Sequence, residues 1–299
     1  MYKTKPMLIT IVPLTVSTIL VVLLLGTVAH TQESLKYYAD PTWPKTLPNN
    51  WKIGGITGLA VDSNNNIWVL NRPNDLADLE LLAEVSPPTA QCCVRPPSMI
   101  HIDQVGNVIG SFDAPQGHGM DVDDNGFVYI GQDTVRKYDP QTGMVVATIE
   151  RTSERENGAP VGLAPSVELT PGKGTLEHAA VFMPTLPDDP IELAERTTLA
   201  KIFREKYPPE TPIIVGGLEE IRIVETDREM YIADNYLGGR VLVFDLDSFE
   251  FKRGWGAYGK SLELISIDDA DHEYVPGGPM PSDFAGHLTL NVSNDGLVY

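Results

Sequence analysis

The chain of 299 residues has only two cysteines, Cys92 and Cys93, and they are neighbours. No network of disulfides can therefore hold the fold. The pair has three readings: a vicinal disulfide, a bridge to another chain, or two free thiols in a loop. Helix-type patterns are also scarce, which argues against a helical bundle. Glycine (26) and proline (24) are instead spread throughout, as suits many short strands joined by turns. Cationic residues are few, 22 Lys and Arg against 41 Asp and Glu, for a formal charge of −19. Such a surface repels nucleic acid and anionic lipid, so neither is expected as a partner. It accepts divalent cations and cationic ligands, and it serves plain solubility equally well.

The N-terminus has the chain's long apolar run. Lys3 and Lys5 precede Met7–Val28, interrupted by Pro13 and a few hydroxyls, and Thr27 and Ala29 are placed for signal-peptidase cleavage after Ala29. The run is long for a signal peptide and just long enough to span a bilayer. Residues 1–29 are therefore a signal peptide or an uncleaved anchor helix. Either way the remainder is exported: periplasmic, extracellular, or anchored outside the cytoplasm, with that helix its only membrane contact. Residues 30–50 read as a Pro-rich linker and 51–299 as the folded region.

Within the folded region a single pattern returns: an apolar strand, an Asp/Asn/Gly turn, a second apolar strand and a polar end. The copies are GITGLAVDSNNNIWVLNR (Gly55–Arg72), GHGMDVDDNGFVYIGQD (Gly117–Asp133), LEEIRIVETDREMYIADNY (Leu218–Tyr236) and GHLTLNVSNDGLVY (Gly286–Tyr299). Each alternates like a hairpin. Further strand pairs lie between them at Ser98–Phe112, Val135–Ile149 and Arg240–Trp255. Hairpin after hairpin makes four-stranded blades, and repeated blades make an all-β propeller. About four blades are represented, and the last stops mid-hairpin, so the sequence reads as a fragment of a longer protein.

A long insertion covers residues 150–213. Within it Asp189-Pro190 looks like a helix N-terminus, Ile191, Ala194, Thr198, Leu199, Ile202 and Phe203 form an apolar face, and Pro208-Pro209 ends it. A second short helix is expected over Asp75–Val85.

Two of the six histidines, His118 and His287, open the first strand of a repeat. In a propeller that strand lines the channel, where imidazoles from separate blades can share a zinc ion. His30, His101, His178 and His272 lack this placement and read as structural. The segment from Asp121 to Gly126 opens like a calcium loop. Its twelfth position is Gln132 rather than Glu, and it coincides with the repeat's turn, so it reads as a turn. Arg72 and Tyr236 end second strands.

These repeats resemble NHL-type propellers, six-bladed when complete, and within them peptidyl-α-hydroxyglycine α-amidating lyase. GITGLAVDSNNNIWVLNRPND resembles the family's first blade, and Arg72 stands at its catalytic Arg. GHGMDVDDNGFVYI resembles the blade whose His binds zinc, and His118 stands there. In IADNYLGGRVLVF, Tyr236 stands at the proposed catalytic base, and in GHLTL, His287 falls on a second zinc ligand. The family's structural calcium, bound partly through backbone carbonyls, implies Leu59 and Met120 here. Some features depart from the family. Its third zinc His would lie beyond Tyr299, Leu218-Glu219-Glu220 replaces a Pro-Thr-Asp segment, and the insertion and Cys92-Cys93 have no counterpart. Cys-Cys followed by Pro-Pro resembles instead a group of bacterial exported propellers of no assigned activity.

The resemblance implies cleavage of the N–Cα bond of a C-terminal α-hydroxyglycine to a peptide amide and glyoxylate. Zinc would bind the hydroxyl, Tyr236 would take its proton, and Arg72 would hold the substrate carboxylate or stabilise a tyrosinate. A tyrosine with an ordinary pKa of about 10 needs such a cation nearby to act as a base at neutral pH. The alternative is a non-catalytic propeller that binds a peptide, glycan or protein. A third reading, a calcium-dependent lactone hydrolase, would use a channel carboxylate such as Glu219 or Glu220.

Overall fold

The computed structural model describes residues 37–115, 117–131, 134–151, 201–235, 237–272, 274–284 and 288–299. The chain divides into two units, Met1–Asp40 and Pro41–Tyr299. The expected leader at 1–29 and most of the insertion, including the helical face from Ile191 to Leu199, lie outside the described residues. No helix among the described residues is long and apolar enough to cross a membrane.

The second unit is mostly β. The first sheet is built from β1 (Gly55–Val61), β2 (Ile67–Arg72), β3 (Met99–Ile102) and β4 (Val108–Phe112). The second comprises β5 (Met120–Val122), β6 (Val128–Gly131), β7 (Val135–Tyr138) and β8 (Val145–Thr148). The third comprises β9 (Gly217–Val224), β10 (Glu229–Asn235), β11 (Arg240–Asp245) and β12 (Phe251–Trp255). Each sheet has four antiparallel strands in chain order. A further hairpin follows, in which Val292 bridges Val298 and Asn291 and Tyr299 exchange backbone hydrogen bonds.

The hairpins turn where the Asp/Asn/Gly clusters stand because an aspartate closes the turn. Asp62 accepts the N–H groups of Asn64 and Asn66, Asp103 those of Val105 and Asn107, and Asp123 those of Asn125 and Phe127. Asp123 also accepts from Tyr129 Oη and Lys137 Nζ, at 3.0 and 3.1 Å. All of these bonds hold a turn together, as expected for the Asp121–Gly126 segment.

Alternation then stacks the sheets. Val128 and Ile130 of β6 pack against Trp68, Leu70 and Met99 of the first sheet, while Tyr129, between them, packs against Ile221, Met230 and Ile232 of the third. Likewise Tyr231 and Ala233 turn from that core toward Leu288, Leu290 and Val292 of the last hairpin. Successive residues serve opposite faces, so the second strands are apolar on both sides and β10 is buried throughout. The first strands are neighbours: β1 lies against β5, and β5 against β9. Four-stranded sheets stacked face to face, with their first strands together, are compatible with a portion of a β-propeller.

Four expectations are corrected or refined. The helix expected over Asp75–Val85 is not formed. Two single 3-10 turns, Pro73–Asp75 and Asp78–Glu80, stand there, because Leu76 and Leu81 are both buried at a spacing that one helical face would not give. Residues 201–206 are helical and Phe203 is buried, but Ile202, assigned to the same face, is 55% exposed. Some of the segment read as linker is packed. Trp43 covers Val69, Ile100 and Ile102 on the open side of the first sheet, and its indole N–H donates to the Asp103 carbonyl at 3.4 Å. Of the three cysteine readings, the structure has the vicinal disulfide, Cys92–Cys93.

Candidate functional site at the rim of the inner strands

Corresponding positions of the three sheets meet at one rim. In β1 the pairing with β2 slips between Ile56 and Gly58, leaving Thr57 as a bulge. In β9 the pairing with β10 slips in the same way, leaving Glu219 between Leu218 and Glu220. Counting back from the corresponding paired residues Leu59, Met120 and Ile221, the equivalent residues are Thr57, His118 and Glu219. Bulges re-aim side chains at strand ends. Here they place the hydroxyl of Thr57 and the carboxylate of Glu219 on either side of His118, which stands just before β5.

Backbone contacts hold this rim together. Thr57 Oγ1 donates to the Gly117 carbonyl at 2.7 Å, and Gly119 N–H to the Thr57 carbonyl at 3.3 Å. Gly119 has φ +66°, and a Cβ there would stand 2.7 Å from both the Glu219 carbonyl oxygen and the Glu220 Cα. Only glycine allows that approach of β5 to β9. Gly131 makes a second one: its Cβ would meet the His118 carbonyl oxygen at 2.6 Å.

On this frame His118 Nδ1 lies 3.8 Å from Glu219 Oε2; the imidazole side chain is 33% exposed and the carboxylate side chain 11%. Arg72 ends β2 opposite Gly55, on the strand pair that carries Thr57, and forms an ion pair with Asp75 at 3.3 Å. Asn235 occupies the corresponding end of β10, opposite Gly217. Its Oδ1 accepts the Leu288 N–H at 3.0 Å, which fixes the orientation of the amide, and its Nδ2 is buried with no hydrogen-bond partner among the described residues. Glu220, one residue inward, is bound by Arg222 at 2.7 Å. Burial nevertheless pushes the Glu220 carboxyl up, against the pull of Arg222. Burial likewise raises Asp121, although it accepts the N–H groups of Ile223 and Val122. The inner strands thus carry a patch of carboxyl groups that resist ionisation.

Of the residues singled out in the sequence, His118 precedes β5, which lies against β1, and Arg72 ends β2, the strand paired with β1. Leu59 and Met120 occupy equivalent positions in β1 and β5. Tyr236 and His287 lie outside the described residues. His101 and His272 are structural: His101 stacks on Trp68 at 4.1 Å and bonds Asp62 at 2.9 Å, and the buried His272 ring sits between the Phe284 and Ser266 carbonyls. Asp75 and Asn235 were not found by sequence reasoning, since an acid in a Pro-Asn-Asp turn and an Asn at a strand end carry no signal of their own. The sequence offers Glu219 and Glu220 as interchangeable channel carboxylates, and the bulge that separates their roles is not written in the residues.

An imidazole with a half-buried carboxylate 3.8 Å from its Nδ1 has the makings of a zinc ligand with a supporting acceptor behind it. Among the described residues there is no group of three or more His, Cys, Asp or Glu placed to hold a metal ion.

No protein-family model matches the chain, and no curated protein matches it. Among solved structures it is similar to Kuenenia stuttgartiensis hydrazine synthase, at 13% identity and TM-score 0.36, over 87% of this chain and 44% of that one. It is also similar to BamB from Moraxella catarrhalis, at 12% identity and TM-score 0.25, over 67% of this chain and 53% of that one. A third likeness is to Kluyveromyces lactis Hsv2, at 8% identity and TM-score 0.22, over 67% of this chain and 62% of that one. The chain thus spans about half the length of these structures.

Proposed function

We propose that the chain belongs to an exported NHL-type propeller whose rim site binds the carboxylate end of a peptide or small molecule and cleaves peptidyl-α-hydroxyglycine to a peptide amide and glyoxylate. The observation that supports this reading is the tie between the repeats that carry Arg72 and His118: Arg72 pairs with Gly55 of β1, and Thr57 of β1 bonds the Gly117 carbonyl, next to His118.

In this reading Arg72 exchanges Asp75 for the substrate carboxylate, which its planar fork can hold through two hydrogen bonds. His118 and His287 would hold zinc, which would supply Lewis acidity to the substrate hydroxyl. Tyr236 takes the hydroxyl proton. The carbonyl of glyoxylate forms as the N–Cα bond breaks, and the departing nitrogen gains a proton to become the amide. The carbonyls of Leu59 and Met120 would contribute to a structural calcium site.

The test is glyoxylate release from a peptide ending in α-hydroxyglycine, with the full-length, zinc-loaded protein. Tyr236→Phe is expected to keep zinc and lose turnover. Arg72→Lys is expected to fail as well, because a point charge does not replace the fork. Elemental analysis is expected to find zinc and calcium, with zinc reduced in His118→Ala and His287→Ala. If the wild type releases no glyoxylate, the lyase reading is wrong and the non-catalytic module that binds a peptide, glycan or protein takes its place. Export is tested by sequencing the mature N-terminus, where a start at His30 indicates cleavage and full-length protein in the cytoplasm refutes export.

A further inference from the structure

We propose that Glu219 is the positioning residue of His118, fixing the imidazole tautomer so that Nε2 carries the lone pair offered to a metal or ligand. This rests on the reading of His118 as a ligand-binding residue, and it adds a residue at a position where the sequence departs from the lyase pattern.

Three observations carry it. First, the side chains already face each other, Nδ1 to Oε2, at 3.8 Å. That is longer than a hydrogen bond and within the range of an ion pair, a spacing that active-site contacts often close when ligand binds. Second, the approach is built into the backbone. The β9 bulge gives Glu219 a direction independent of its strand neighbours, and Gly119 lets β5 come within a distance that any Cβ would forbid. Third, two consecutive carboxylates are separated by partner. Glu220 is held by Arg222 at 2.7 Å, while Glu219 turns to His118. A carboxylate can only accept, so it selects the tautomer with hydrogen on Nδ1. The lone pair then belongs to Nε2. A carboxylate behind a ligating imidazole both orients the ring and raises its basicity.

The experiment is a two-bond proton–nitrogen spectrum of the histidine rings in the metal-free full chain, followed by zinc titration against a competing chelator. Wild type is expected to show His118 with its hydrogen on Nδ1. Glu219→Leu is expected to shift His118 to the Nε2–H form and weaken zinc binding about 10- to 100-fold. Glu219→Gln keeps an acceptor and is expected to retain the Nδ1–H form. Glu220→Gln is expected to leave His118 unchanged. If wild-type His118 carries its hydrogen on Nε2, or if Glu219→Leu leaves the tautomer unmoved, the proposal is overturned. The wild-type spectrum decides this even where the Leu variant does not fold, and Glu219→Asp, which withdraws the acceptor by one methylene, then replaces it. If the tautomers follow the expected pattern but no zinc binds, the zinc reading fails and the positioning role stands.

Discussion

Replacing Arg240 with methionine is expected to be among the most damaging single changes outside the apolar core. Arg240 opens β11 directly opposite Asp234, and both side chains are fully buried. Its Nε donates to Asp234 Oδ2 at 3.0 Å, its Nη1 to the carbonyls of Pro209 and Thr211, and its Nη2 to the carbonyl of Ile213 at 2.7 Å. Asp234 also accepts the Gly216 N–H at 2.7 Å and the Val215 N–H at 3.3 Å. One ion pair therefore pins the 209–216 approach to β9 onto the end of β10. Methionine fills similar volume but strands a buried carboxylate and three carbonyls. Breaking a buried pair from one side costs about 3–5 kcal/mol. For a unit of this size that is a fall in Tm of roughly 6–20 °C, at about 2–4 °C per kcal/mol. Arg240→Lys keeps the charge without the fork and is expected to recover only some of the loss. Replacing both partners, Arg240→Met with Asp234→Leu, is expected to cost less than the sum of the single changes, because no charge is left unpaired. Urea and thermal unfolding followed by circular dichroism measure the wild type, the three single variants (Arg240→Met, Arg240→Lys and Asp234→Leu) and the double variant. A loss below about 1 kcal/mol for Arg240→Met, the range of an exposed pair, would refute the reasoning.

Three further outcomes are expected. Arg253 grips Glu229 with two bonds of 2.7 Å, and with Lys252 and Tyr231 holds its carboxyl down at about 2. A depressed carboxyl stabilises the fold above its unfolded pKa of about 4.3, so stability is expected to fall as pH drops from about 4.3 to about 2. The size is on the order of 1–2 kcal/mol after allowing for solvent around the half-exposed Arg253, and Glu229→Gln should flatten this stretch of the pH profile. Glu220 has the opposite sign: its carboxyl is raised by burial, so its ionisation costs stability as pH rises, and Glu220→Gln is expected to melt higher than wild type at neutral pH. Trp43→Ala uncovers Val69, Ile100 and Ile102 and is expected to cost about 2 kcal/mol in urea unfolding, whereas an inert linker would show no change.

The sequence announces the hairpins because the physics behind them is local. An Asp that accepts two turn N–H groups, as Asp62, Asp103 and Asp123 do, closes the same turn whatever surrounds it. Period-two alternation then assigns faces, and Val128, Tyr129 and Ile130 go to two cores as the pattern demands. What failed was decided by tertiary contacts. The Asp75–Val85 stretch has the composition of a short helix, yet the burial of Leu76 and Leu81 selects two separate 3-10 turns. Trp43 sits in a Pro-rich stretch that reads as linker, and only an exposed apolar face elsewhere in the chain gives it a place to pack.

The rim was half legible for a related reason. Repetition makes the fold readable, and chemistry sits where the repeats differ. Two residues before the paired positions Leu59, Met120 and Ile221 the sheets carry Thr57, His118 and Glu219, and at the ends of β2 and β10 Arg72 and Asn235. Alignment of the repeats sets His118 against Thr57 and Glu219, and Arg72 against Asn235, as substitutions in a common frame. Their partners do not stand out in that way. Glu219 meets His118 because a glycine in one repeat and a register slip in another bring β5 and β9 together, two features 100 residues apart in the chain. Pairing of this kind is a property of the stacked sheets, and no window of the sequence contains it.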